Sequence, residues 1–90
     1  MRPGFKKALK AKAHALKTVV MIGQQGLTPA VLNEIDLALE HHELIKVRVN
    51  AADRNERGEM VGQILEQTGA VVIQAIGHVV ALYRKNPDKR

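Results

Sequence analysis

A chain of 90 residues, 46% apolar and 26% charged, is sized for a single domain with a thin core. It has no Cys and no Trp, one Phe and one Tyr; the first excludes a disulfide framework, thiolate metal sites and cysteine nucleophiles, and the scarcity of aromatics argues against recognition of bases on an aromatic sheet face. The net charge is +5, yet residues 1–17 hold six bases and no acid while the rest holds eight bases and nine acids, so the excess sits in the N-terminal segment and concerns partners rather than fold.

Residues 3–16 are expected to form a helix, with Pro3 near its start and Ala-rich, Lys-rich filling. Phe5, Leu9, Ala13 and Leu16 make an apolar stripe at helical spacing, and Lys6, Lys10, His14 and Lys17 follow the same spacing about a quarter turn away. The plain account of such a helix is a solvated face. The absence of any acid to pair with the lysines argues for a cationic ridge instead. A membrane-surface helix is the weaker alternative, because the apolar face is narrow and lacks Trp or bulky aliphatics. No apolar run approaches spanning length and the basic N-terminus lacks a signal core, so a cytoplasmic protein without membrane association is expected.

Thr18 to Ile22 is a short continuous apolar run and predicts a strand in a central, doubly covered position. The stretch Gly23-Gln24-Gln25-Gly26-Leu27-Thr28-Pro29 then leads into a second helix over 29–42, with Thr28 as N-cap and Pro29 at the first helical position. Flexible backbone is thus delivered to the positive end of a helix, which describes an anion site. A lone G-x-x-G is by itself more often a turn needing positive φ. It is not a P-loop either, which requires a longer glycine spacing and a Lys-Ser/Thr ending. Glu34, Asp36, Glu40 and Glu43 make the second helix the acidic counterpart of the first.

Residues 44–49 alternate, with Ile45, Val47 and Val49 on one side of a strand and Lys46 and Arg48 on the other. Asp53 and Glu56 start a third helix over 54–68, and Gly69 sits where its left-handed cap belongs. Gly58 and Gly62, four apart inside it, suggest close approach to a neighbouring element. Strands over 70–76 and 79–84 are joined by Gly77-His78, as a type II′ hairpin requires. The expected architecture is therefore α/β in the order α-β-α-β-α-β-β, a four-stranded mixed sheet with packed helices. Residues 1–84 form the domain and 85–90 a polar tail. His14, His41, His42 and His78 lack ligand spacing, and no nucleophile has a neighbouring base, so neither metal, cofactor nor catalysis is expected.

The stretches Gly23-Gln24-Gln25-Gly26-Leu27-Thr28, Leu39-Glu40-His41-His42-Glu43-Leu44-Ile45-Lys46-Val47, Thr68-Gly69-Ala70 and Leu82-Tyr83-Arg84 together resemble the CRM-domain family in its stand-alone bacterial YhbY-like form. The resemblance implies a fold similar to the C-terminal domain of bacterial translation initiation factor 3. It also implies RNA binding, through rRNA of large-subunit precursors, during ribosome assembly. Carried over by position, the backbone clamp comprises Gly23, Gln24, Gln25 and Gly26, followed by Thr28. Members often carry a basic residue between the glycines, where this chain has two glutamines. The loop is therefore expected to position RNA, leaving attraction to Lys6, Lys10 and Lys17, with Lys46 and Arg48 as further candidates. A monomeric RNA-binding module is the leading expectation. The alternative is a protein-interaction adaptor that docks a basic ribosomal protein on the acidic second helix.

Overall fold

Capping chemistry sets the helix boundaries. The computed structural model, which describes residues 2–23 and 26–86, contains α1 (Pro3–Ala15), β1 (Thr18–Ile22), α2 (Pro29–His42), β2 (Leu44–Val49), α3 (Arg54–Thr68), β3 (Val71–Ile76) and β4 (Val79–Tyr83). Pro occupies the first turn of α1 and α2, where its missing N–H costs no helical bond. Asp53 accepts from the Glu56 N–H at 2.8 Å and starts α3. Gly69 closes α3 at φ +74, its N–H donating to Leu65 O. Glu43 ends α2 at φ +61 and ψ −42, a positive-φ conformation outside the left-handed helical region, with no glycine to signal it.

The strands make one mixed sheet in the order β1-β2-β4-β3. β1 and β2 are parallel, and β4 runs antiparallel to both β2 and β3. The β3–β4 hairpin thus places its second strand between β2 and β3. Gly77 adopts φ +57 and His78 has no positive φ, in keeping with the expected hairpin turn. The continuous apolar run of β1 does not lie in the centre of the sheet. It is an edge strand, with Val20 and Ile22 buried while Val19 and Met21 are more than half exposed. A short apolar run reports β propensity, but an alternating burial with an exposed Val and Met leaves the same letters in the sequence.

Period-two alternation divides the core into two layers. On one face Val20, Ile22, Ile45, Val47, Val49, Val80 and Leu82 pack against Ile35 and Leu39 of α2 and Ile64 of α3. On the other, Leu44, Ile73 and Ala81 pack against Leu9 and Ala13 of α1. Each fully buried aliphatic side chain here is worth roughly 1.5–3 kcal/mol relative to exposure. The single Phe and single Tyr meet edge to face, with Phe5 of α1 5.5 Å from Tyr83 of β4 between ring centroids. Gly58 and Gly62 do not mark a close approach, because a Cβ at either position meets nothing within 4 Å. They lie on the exposed side of α3. The start of the polar tail is tied down: Asn86 donates from its backbone to the Glu43 carboxylate and from its side chain to Glu40 O, each at 2.7 Å.

Candidate nucleic-acid interface

The Gly23–Gly26 loop leaves the C-terminal end of β1. Gly26 N–H donates to Gly23 O at 3.0 Å, closing a four-residue turn; Gln24 and Gln25 lie outside the described residues. The two glycines differ. Gly26 has φ +75, and a Cβ there would sit 3.5 Å from Met60 Cε on α3. Gly23 has no positive φ and open space where a Cβ would point. The backbone therefore requires glycine at 26 but not at 23.

At the mouth of the loop, Thr28 Oγ1 accepts from Val31 N–H at 3.2 Å, and Leu32 N–H donates to Thr28 O at 3.0 Å. The Thr28 hydroxyl still has its O–H donor and one acceptor lone pair for another partner. Pro29 has no N–H, so Ala30 carries the one first-turn amide of α2 without a bond to another described residue. The positive end of α2 thus offers an anion one backbone donor beside the loop.

Lys6, Lys10 and Lys17 are all exposed, but they are not gathered at this loop. Lys17 precedes β1 and Gly23 follows it, so the strand separates them by roughly 15–20 Å at the usual rise of ~3.3 Å per residue. Lys6 and Lys10 lie further back on α1, on the flank that also carries His14. Lys46 and Arg48 bridge the gap. They share the α1 side of β2, with Lys46 paired to Thr18 at the start of β1 and Arg48 paired to Met21 near its end. The Lys46 ammonium donates to Leu16 O at 3.3 Å, capping the C-terminal end of α1 and leaving two further donors. Arg48 Nε donates to Asn50 Oδ1 at 3.2 Å and the rest of its exposed guanidinium faces outward.

Charge is segregated in space as well as along the chain. Neither α1 nor any of the four strands contains Asp or Glu, and the only charged residues of the sheet are Lys46 and Arg48. All eight acids among the described residues belong to α2, α3 or their caps, on the opposite face. Some of that acidic charge is also engaged. Arg84 forms an ion pair with Asp36 and donates to Thr68 O at 2.9 Å, while Glu43 holds Asn86.

Sequence reasoning overlooked one part of this surface. α1 covers only part of its sheet face. Beyond it, the pairs Met21–Arg48, Arg48–Val79 and Val79–Ile76 make a row across all four strands. Met21 and Ile76 are 62% and 59% exposed. The alternation of Lys46 and Arg48 was the available signal for a wet face, and the pairing register was needed to see which apolar side chains share it. Among the described residues no group of three or more His, Asp or Glu could hold a metal, and no helix is long and apolar enough to cross a membrane.

Comparison with known proteins gives a consistent picture. The family model for the CRS1/YhbY (CRM) domain matches residues 1–84. An RNA-binding protein of Haemophilus influenzae is 47% identical over 85 residues, covering 94% of this chain and 86% of that protein. A protein of Pseudomonas aeruginosa named "Probable RNA-binding protein" is 40% identical over 82 residues, covering 91% and 79% respectively. The solution structure of a Staphylococcus aureus protein superposes with a TM-score of 0.82 at 30% identity, over 100% of this chain and 95% of that one.

Proposed function

The chain belongs to the CRS1/YhbY (CRM) domain family, and on that premise we propose that it is a non-enzymatic RNA-binding module acting on rRNA of large-subunit precursors. The observation that carries the reading is the layer made by α1, the residues that flank it and the sheet: Arg2, four lysines of α1, Lys17, Lys46 and Arg48 give it eight bases, and it has no carboxylate. A polyanion meets attraction there and no compensating repulsion. The RNA strand runs from the α1 lysines past Lys46 and Arg48 to the Gly23–Gly26 loop. Phosphate contacts along that path neutralise charge, and the loop with Ala30 N–H and the Thr28 hydroxyl holds the backbone locally.

Gly23 supports the loop's part in this. With ordinary φ and no crowding, its lack of a side chain serves no need of the fold, whereas it lets a phosphate approach the main chain. The adaptor reading is weaker, because Asp36 and Glu43 on the acidic side are already bonded within the chain. The test is direct: the native protein should co-sediment with a large-subunit precursor and crosslink to its rRNA through the α1 face. Crosslinks confined to ribosomal protein and the α2 face would replace this reading with the adaptor.

A further inference from the structure

We propose that the cleft between the C-terminal end of α1 and the open sheet accepts an unpaired nucleobase of the bound strand, so that the domain selects single-stranded RNA. This rests on the RNA reading above and goes beyond backbone contact. The cleft measures about 230 Å³, smaller than the roughly 300–1,000 Å³ of sites for drug-sized ligands. Ala13, His14, Lys46, Gln74, Ile76 and Val79 line it.

Its chemistry is that of a base site without aromatics. Exposed Ile76 and half-buried Val79 present apolar surface on which a planar ring can lie, as apolar side chains do in pockets for flipped-out bases. Gln74 stands among them, half-buried. Its amide makes no hydrogen bond to another described residue, so both its donor and its acceptor are open to a base edge. Lys46 and His14 sit at the same opening, and Arg48 lies one step along the sheet toward the loop. No acid borders the cleft.

The occupant follows from this combination. A basic peptide would meet only cations, and an acidic peptide would need an aromatic side chain spaced to reach the apolar floor, whereas every nucleotide couples a ring to its phosphate. A strand of RNA supplies both the phosphates and the rings. The cleft also lies on the line from the α1 lysines to the Gly23–Gly26 loop, so a backbone held at both ends passes over it. A duplex keeps its bases paired and stacked, and cannot insert one here without opening.

The experiment compares an octamer of uridylate, an octamer of adenylate and a base-free ribose-phosphate octamer of equal charge, titrated into isotopically labelled protein. The expected result is that the two natural octamers bind about 5-fold or more tightly than the base-free one, at the low end of what base-stacking side chains provide. Their salt slopes should be equal, since the phosphates are the same. Amide signals of Gln74, Ile76 and His14 should shift with the natural octamers alone. The double variant Q74A/I76A should bind all three equally, with its salt slope and thermal midpoint unchanged; both positions lie on an edge strand and neither is fully buried. Equal, salt-dependent binding of all three octamers by the wild-type protein overturns the base cleft and leaves the RNA reading standing. A base preference that survives in the double variant overturns it as well. Absence of binding to every octamer and to rRNA overturns both.

Discussion

Gly26 stands against Met60: the position its Cβ would take lies 3.5 Å from the Met60 methyl carbon, at a φ of +75. The backbone at 26 is therefore one that side chains other than glycine adopt only with strain, while Gly23 has an ordinary φ and open space around it. Substitution at the two glycines should therefore have separable effects. Gly26→Val places a β-branched residue in the left-handed region and is expected to cost about 1–3 kcal/mol in denaturant unfolding. Gly23→Val should stay within about 0.5 kcal/mol of wild type and still weaken RNA binding. Gly23 is the cleaner probe of the clamp, and wild-type affinity in a folded G23V protein would remove the loop from the mechanism.

Binding should depend strongly on salt. If about three to five phosphates are neutralised, the log–log slope on single-stranded RNA is expected at roughly −2 to −3.5. Reversal of Lys6, Lys10 and Lys17 to Glu together should abolish most binding with little change in stability, since all three are exposed. A flat salt response, or full affinity in the triple reversal, counts against the polyanion surface.

Lys46 and Arg48 make a finer test of the path. Arg48→Gln should lower affinity and make the salt slope shallower by roughly 0.7, the share of one neutralised phosphate on a single strand, with stability close to wild type. Lys46→Gln should do the same and also loosen the end of α1, whose Leu16 carbonyl loses its cap. Hydrogen exchange in the last turn of α1 would report the second effect, and it should be absent in R48Q.

Arg84 is engaged within the fold. Its guanidinium joins the Asp36 carboxylate, Asp36 O at 3.1 Å and Thr68 O at 2.9 Å, tying β4's exit to α2 and to the end of α3. Arg84→Ala is expected to cost about 1–3 kcal/mol, with unchanged RNA affinity once the protein is folded. Loss of affinity in the fully folded variant would put Arg84 on the binding surface instead.

Tyr83 is the only tyrosine, so its titration can be followed by absorbance without ambiguity. Burial, and after it the nearby Glu43 carboxylate, raise its pKa above the ordinary 10.0. Below the unfolded value both states hold the proton and the neutral phenol's favourable setting is retained in full. As pH rises from there through the folded pKa, the unfolded state ionises first and that stability is lost. Tyr83→Phe should therefore flatten the alkaline limb of a stability–pH curve. Glu43→Gln should lower the tyrosinate midpoint part of the way, and a midpoint unmoved by unfolding would contradict the assignment.

Local chemistry was legible wherever one residue decides an outcome. Thr28, Pro29, Asp53 and Gly69 each set a helix end by their own geometry, and those ends lie where the sequence puts them. The edge position of β1 was not legible, because the order of strands depends on which partner the β3–β4 hairpin finds, and no residue of β1 records that. Glu43 at φ +61 was equally silent. Its positive-φ backbone is held by bonds from Arg84 N–H and Asn86 N–H, both some forty residues away. For the site, the glycine loop and the basic residues could be named from the letters. The distance between loop and lysines, the open row of Met21, Arg48, Val79 and Ile76, and the difference between Gly23 and Gly26 all depend on register and packing.

Eight bases lie on the α1 side of the sheet and every described acid on the other, where Arg54, Arg57 and Arg84 offset only part of the negative charge, so the domain is an electric dipole. Near a polyanion such a body experiences a torque as well as a pull, so it turns its α1 side forward before contact. Collisions that lead with α2 and α3 are repelled, and a larger share of encounters begins in a productive orientation. Added salt shortens the reach of that torque and slows arrival, even for a complex whose dissociation is governed by the loop. If the carboxylate-free layer is the RNA surface proposed above, it sets how quickly the RNA is found as well as how firmly it is kept.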